Sequence, residues 1–207
     1  MLLISVVASA HNPDLSSTIL VEKGENTWII QIRAALTAFE YEVESHFGKD
    51  AFATPEEFQA LVVEHVRENL SIKYKCHDVA ELKAGKVKLG HETSITFEVV
   101  GLPTSIESLE VENSSFKHIP RNQSALMVLK KGFAKEQFTL NAKNEHTAKL
   151  QVANSKFELA TPTSKENNSS IYFLAVALLF LLVIFFGYKL ARKNGTNYSF
   201  QNKVLTA

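Results

Sequence analysis

The chain has 207 residues, 45% of them hydrophobic, which is enough for one sizeable buried core. Its 22 basic and 22 acidic residues cancel, but Lys189, Arg192, Lys193 and Lys203 follow Tyr188, where no acid occurs, so the preceding part holds 18 basic against 22 acidic residues, a balance of −4. That balance argues against nucleic acid or an anionic membrane surface as partner of the main domain, and the single cysteine, Cys76, excludes an intramolecular disulfide and a two-cysteine metal clamp.

In chain order, Leu2 to Ala8 is a short apolar run followed by Ala8-Ser9-Ala10, a small-residue pattern of the kind signal peptidase accepts. No basic residue precedes the run, which points to a truncated signal or a start further upstream. Cleavage after Ala10 would make His11 the first mature residue. A buried strand, LLISVVA, is the alternative, because composition alone does not separate a short apolar strand from a signal core.

Leu15 to Val21 and Thr27 to Leu36 are β-rich runs joined by the turn-forming Glu22-Lys23-Gly24-Glu25-Asn26, which predicts a hairpin. Trp28, Ile30 and Ile32 alternate with Ile29, Gln31 and Arg33, so one face should be buried. Two helices are predicted next, Thr37 to Phe47 stopped by Gly48, and Pro55 to Leu70. The second opens on Thr54 as N-cap, Pro55 at the first helical position and Glu57 at the third, a capping box. Its Phe58, Leu61, Val62, Val66 and Leu70 recur at helical spacing and predict a core-facing stripe. Phe39, Val43 and Phe47 make the corresponding stripe of the first helix.

Short β-like runs follow at Ser71–Cys76, Lys86–Leu89, Thr93–Val100, Ser108–Glu112, Ala125–Lys130, Gln137–Asn141 and Ala148–Val152. Separators such as Lys83-Ala84-Gly85, Gly101-Leu102-Pro103 and Ile119-Pro120-Arg121-Asn122 give strand-turn-strand spacing, which favours antiparallel pairing over parallel sheets with a helix after each strand. The expected fold class is α+β: mainly an antiparallel β-sheet or sandwich with a two-helix insertion, plus one C-terminal transmembrane helix.

Thr161 to Ser170 is polar and reads as a stalk. From Asn167 to Tyr188 no charge occurs, and the 22 residues would extend about 33 Å as a helix, enough for a hydrocarbon core of about 30 Å. The run is apolar on all faces, Tyr172 and Tyr188 suit the two interfaces, and Lys189, Arg192 and Lys193 form a flank retained on the cytoplasmic side. The expected organisation is a signal remnant (1–10), an extracytoplasmic domain (11–160), a polar stalk (161–170), a single membrane span (171–188) and a basic cytoplasmic tail (189–207). The N-terminal domain should lie outside the cytoplasmic membrane and the C-terminus inside.

Over residues 11 to 150 the chain resembles a family of exported bacterial domains of unknown function, itself similar to the N-terminal outer domain of HupE/UreJ-like membrane proteins. The likeness lies in the start near His11-Asn12-Pro13, the early hairpin, the helical insertion, and HETSITFEVVGLP leading into SLEVENSSF and RNQSALMVLKKG. The resemblance implies export and an antiparallel sheet domain. The chain departs from the first family after its second strand, where an acidic pair is expected and Leu36-Thr37-Ala38-Phe39-Glu40 stands, and from the second in having one span instead of a multi-helix membrane part. No metal-transport role is carried over.

Few residues suggest chemistry. If His11 is exposed by cleavage, its α-amine and imidazole could chelate a metal ion such as copper, which nitrogen ligands suit. Further ligands would have to come from His46, His65, His77, His91, His118 or His146, none of which forms an H-x-H or H-x-x-x-H pair. The adjacent Cys76-His77 suggests an activated thiolate, but neighbours on a strand point to opposite faces, which favours a buried or edge cysteine. No G-x-S-x-G elbow, H-E-x-x-H helix or phosphate-binding glycine loop is present. The Asn-x-Ser triplets at Asn69, Asn113, Asn122, Asn167 and Asn168 match the glycosylation pattern, which the bacterial resemblance leaves without a role. The sequence therefore leads to a non-enzymatic, membrane-anchored binding module with the membrane and another envelope protein as partners. A copper-binding protein using His11 is the alternative.

Overall fold

Alternation of apolar and polar residues decides the first two strands. In Leu15–Gly24 (β1) and Thr27–Ala35 (β2), Thr18, Leu20, Trp28, Ile30 and Ile32 are fully buried while the residues between them are partly exposed, as a pleated strand with one inward face requires. The two pair antiparallel from Ser16↔Ala34 to Gly24↔Thr27, the expected hairpin. The computed structural model describes residues 14–24, 27–75, 78–160, 176–185 and 189.

β2 runs directly into α1 (Leu36–Phe47), which buries Ala38, Phe39, Glu42 and Val43 and is ended by Gly48 at φ +104°, a backbone conformation that glycine adopts without steric cost. In α2 (Pro55–Asn69) the Thr54 hydroxyl accepts from the Glu57 N–H at 3.2 Å while the Glu57 carboxylate accepts from the Thr54 N–H at 3.2 Å. The capping box is therefore formed, and Phe58, Val62 and Val66 face the core, with Leu61 packed against it. The chain then enters β3 (Leu70–Tyr74) and continues through β4 (Asp78–Val79), β5 (Glu81–Lys88), β6 (Glu92–Val100), β7 (Ser108–Asn113), β8 (Gln123–Leu129), β9 (Gln137–Asn141), a 3₁₀ turn at Ala142–Asn144, β10 (Thr147–Ala153) and β11 (Lys156–Leu159).

The strands form two sheets, one of six in the order β5-β6-β2-β1-β8-β9 and one of five in the order β11-β10-β7-β3-β4. Inward residues of both sheets and both helices join one apolar cluster that includes Trp28, Phe39, Phe97, Leu126, Val111, Leu150 and Phe157. The architecture is α+β, mostly antiparallel, with two helices inserted between β2 and β3.

The mainly antiparallel pairing is as expected, and two local expectations are corrected. One pair within the arrangement is parallel: β1 and β8 run parallel from Leu15↔Gln123 to Val21↔Leu129. β8 reaches the six-stranded sheet from β7 in the other sheet, so a two-residue hairpin does not set its direction. Lys83-Ala84-Gly85 does not separate two strands but is a bulge inside β5, where the register to β6 shifts between Lys83 and Lys86 and Ala84 takes φ +50°. A Cβ on Gly85 would lie 2.7 Å from Phe97 Cε1 and 2.8 Å from Val63 Cγ1, so this position is closed by side chains of β6 and α2. β4 and β11 were not expected; both are short strands at the edges of the five-stranded sheet.

The chain divides into two units, 1–160 and 161–207. In the second, the described residues 176–185 are helical and exposed around the whole circumference, Leu178, Leu179 and Phe180 at 64%, 66% and 67%. Among the described residues no helix is long and apolar enough to cross a membrane, and the remainder of the expected span 171–188, with the stalk, the tail and residues 1–13, lies outside the described residues.

Candidate functional site

The chemistry-bearing residues converge where α1, α2 and the loop after β7 meet. Glu42 stands on the buried face of α1, three residues after Phe39, and is completely enclosed. Its Oε1 accepts from the backbone N–H of His118 at 3.0 Å and its Oε2 lies 2.8 Å from the His118 ring Nδ1. The ring is half exposed. A carboxylate at this distance favours the tautomer with the proton on Nδ1, which leaves Nε2 as an acceptor. This is how a carboxylate orients an imidazole for general-base work or metal ligation.

His65 lies on the inner face of α2 and is 2% exposed. Its Nε2 is 2.8 Å from the carbonyl oxygen of Ser115, so Nε2–H donates, and the buried Nδ1 has no hydrogen-bond partner among the described residues. The His46 ring on α1 lies 5.8 Å from the His65 ring, and its Nε2 reaches Glu68 at 3.2 Å. His146, in the turn before β10, is 8% exposed, its carbonyl accepts from the Asn113 N–H at 3.0 Å, and its own buried Nδ1 has no partner among the described residues. A second buried polar chain continues from there. Asn113 Nδ2 donates to Thr18 Oγ1 at 2.8 Å, the Thr18 and Ser124 hydroxyls are 2.9 Å apart, and Asn113 Oδ1 accepts from the Ser115 N–H at 3.2 Å. Asn69, at the end of α2, takes the Ser114 N–H on its carbonyl at 2.8 Å.

The network thus joins both helices to both sheets through the 113–118 loop. Surface hollows occur over Lys73, Tyr74, Glu110 and Lys149 on the outer face of the five-stranded sheet, and beside Ser16, Arg33 and Glu92 at one end of the other. Neither is lined by Glu42 or His118. Among the described residues no group of three His, Cys, Asp or Glu side chains could hold a metal ion. His46, His65, His118 and His146 are gathered by the fold around Glu42, whereas His91 sits in the turn before β6. His11, and the Cys76-His77 pair, lie outside the described residues. Glu42 was missed by the sequence reading, although its place on the apolar stripe beside Val43 was a usable signal.

Burial pushes His65 below the ordinary histidine value; the Ser115 carbonyl and Glu42 oppose this, while His46 and His118 add to it. Burial also lowers His146, with Glu42 and Glu112 opposing and Lys117 reinforcing the shift. Both histidines therefore bind a proton more readily unfolded than folded. Their contribution is complete above the unfolded value of about 6.5 and is lost as pH falls from there towards the folded values. The urea midpoint is expected to be lower at pH 5.5 than at pH 7.5, and the difference to shrink in His65→Gln and in His146→Gln. Glu22 and Glu110 do not confuse this window. Burial alone would raise Glu22, but hydrogen bonds from Lys130 and Lys131 with their charges hold it below the carboxylate value, and Lys73 chiefly does so for Glu110. Their losses come at more acid pH. A midpoint that does not change between pH 7.5 and 5.5 would refute the assignment.

No protein-family model matches this chain, and no curated protein matches it either.

Proposed function

We propose that the chain is a single-pass protein of the cytoplasmic membrane whose outer α+β domain is a non-enzymatic binding module for another envelope component. The observation that carries the membrane part is the ten-residue helical stretch 176–185, apolar at every position and exposed on every side. A helix that is hydrophobic all round needs protein or lipid about it, and in the sequence it lies within an uncharged run of 22 residues followed by Lys189, Arg192 and Lys193. The binding role rests on the use of the polar groups. Glu42, Asn69, Asn113 and Thr18 are committed to hydrogen bonds that hold helices, loop and strands together, which supports a rigid scaffold that presents its surface to a partner. Export and the resemblance to exported bacterial domains over residues 11 to 150 belong to the same proposal.

The test is fractionation and topology. The full chain should stay with membranes after alkaline carbonate washing, a reporter fused after Ala207 should be active only in the cytoplasm, and protease added outside should digest the region before Ile171. Release by carbonate would remove the span, and an exported C-terminal reporter would reverse the orientation.

A further inference from the structure

The outward face of the six-stranded sheet is patterned in a way the fold does not use. Ile19 and Val21 of β1, Ile29 of β2, and Met127 and Leu129 of β8 alternate with fully or almost fully buried neighbours and are partly exposed. None of the five belongs to the apolar cluster between the sheets or to the side chains packed against it. Strand register arranges them in rows. One row reads Lys83, Glu98, Ile29, Val21, Leu129; the next reads Lys86, Thr96, Gln31, Ile19, Met127, Gln137; the third reads Lys88, Ser94, Arg33, Ser17, Ala125, Thr139. The face therefore has a lysine column on the β5 edge, an apolar stripe centred on β1, and an amide and hydroxyl column on the β9 edge.

We infer that this face is the interface of a homodimer, two copies packing sheet to sheet about a two-fold axis parallel to β1. The pattern is self-complementary about that axis and no other in the plane. Turning one copy about β1 sets Ile19 on Ile19 and Val21 on Val21, places Ile29 over Leu129 and Gln31 over Met127, and carries the lysine column to the uncharged β9 side. An axis perpendicular to the strands would instead lay the lysine column on its own copy, Lys86 over Lys86 and Lys83 over Lys88, where like charges repel. With strands about 4.8 Å apart and a rise of about 3.4 Å per residue, β6 to β9 and three rows cover roughly 24 by 20 Å, so about 1,000 Å² is buried in total. That is the lower end for a specific interface and fits a reversible dimer. Face-to-face sheets with strands aligned within about 30° are an ordinary packing mode. Lysines on the β5 edge also discourage strand addition there, which leaves the face rather than the edge for association. The inference names a second copy as a partner of the binding module proposed above. It rests on the outer domain alone, and anchoring in one membrane would raise the effective concentration of the copies.

The test is symmetric crosslinking in the full chain carrying Cys76→Ser, in membranes or, if it does not fractionate there, in solution. Ile19→Cys and Val21→Cys each face themselves across the axis and should form a covalent dimer under mild oxidation. Lys86→Cys, about three strands from the axis, should not. Adding Ile29→Lys to Ile19→Cys should reduce the dimer at least tenfold while circular dichroism and melting show the domain still folded. Crosslinking of Ile19→Cys no greater than that of Lys86→Cys, or dimers through Lys86→Cys alone, would overturn the interface. So would a face that binds lipid vesicles as a monomer. Because the crosslink is read whether or not the chain is membrane-bound, failure of the anchor and failure of the dimer give different results.

Discussion

Glu42→Ala is expected to lower the unfolding free energy by about 3 kcal/mol, measured by urea denaturation at pH 7.5. Two hydrogen bonds end on this carboxylate, one from the His118 backbone N–H at 3.0 Å and one from its ring at 2.8 Å. Removing the buried carboxylate leaves the donors that it served without their acceptor, and hydrogen bonds to a charged group are worth about 1.5 to 3 kcal/mol each. The half-exposed His118 ring can turn to water, which places the estimate at the lower end. The His118 N–H has no such freedom, because the loop is held to Asn69 and Asn113 on either side of the network. Glu42→Gln keeps an oxygen for that N–H and an amide for the ring, and should cost less than about 1.5 kcal/mol. Equal losses in the two variants would show that the negative charge, and not the volume or the hydrogen-bonding groups that Gln retains, is what Glu42 supplies. The fluorescence of Trp28, the sole tryptophan and fully buried, reports the transition.

Trp28→Ala should be more damaging, about 3 to 5 kcal/mol, because it empties the largest buried side chain of the core. Trp28 sits between β1 and β6, paired with Glu22 and Val99, with the Lys130 ammonium 5.5 Å from its ring. Lys130 in turn bonds Glu22 at 2.5 Å, both side chains about nine-tenths buried, so the ring is one wall of a nearly enclosed ion pair. Its indole N–H has no partner among the described residues. Trp28→Phe keeps an aromatic face under Lys130 and removes that unpaired donor, so its cost should be only about 1 to 2 kcal/mol. Thermal melting by circular dichroism checks both variants, since each lacks the fluorophore. A Phe variant as unstable as the Ala variant would mean that the ring's shape, and not its burial, dominates.

Local pattern in the sequence was enough for much of the α+β domain. Period-two alternation in Trp28, Ile30 and Ile32 identifies both a strand and its inward face, because successive side chains on a pleat point to opposite sides. Thr54, Pro55 and Glu57 locate the start of α2 to the residue, since the cap involves only groups within one turn. Gly48 ends α1 for an equally local reason. Partner choice is different in kind. The parallel pairing of β1 with β8 joins residues about 108 positions apart, and alternation looks the same whichever way a neighbour runs. The bulge at Lys83-Ala84-Gly85 reads as a turn because its glycine and positive-φ alanine have the chemistry of one; only Phe97 and Val63 closing over Gly85 show that the strand continues.

The site divides in the same way. Each histidine is visible in the sequence, but their gathering around Glu42 depends on α1, α2, the 113–118 loop and the turn before β10 meeting in space. Glu42 itself was half legible: it follows Phe39 by three and precedes Val43 by one, on the stripe that buries α1, so only an acid with a fixed partner could occupy it. That partner, 76 residues away, is decided by the tertiary fold. Sequence by itself determined which residues alternate, which turn caps a helix and where the long uncharged apolar run lies, because those depend on neighbours within a few positions. The tertiary structure alone decided which strands pair, which histidines share a carboxylate and which apolar residues remain on the outer face of the six-stranded sheet, because burial is a property of the assembled layers.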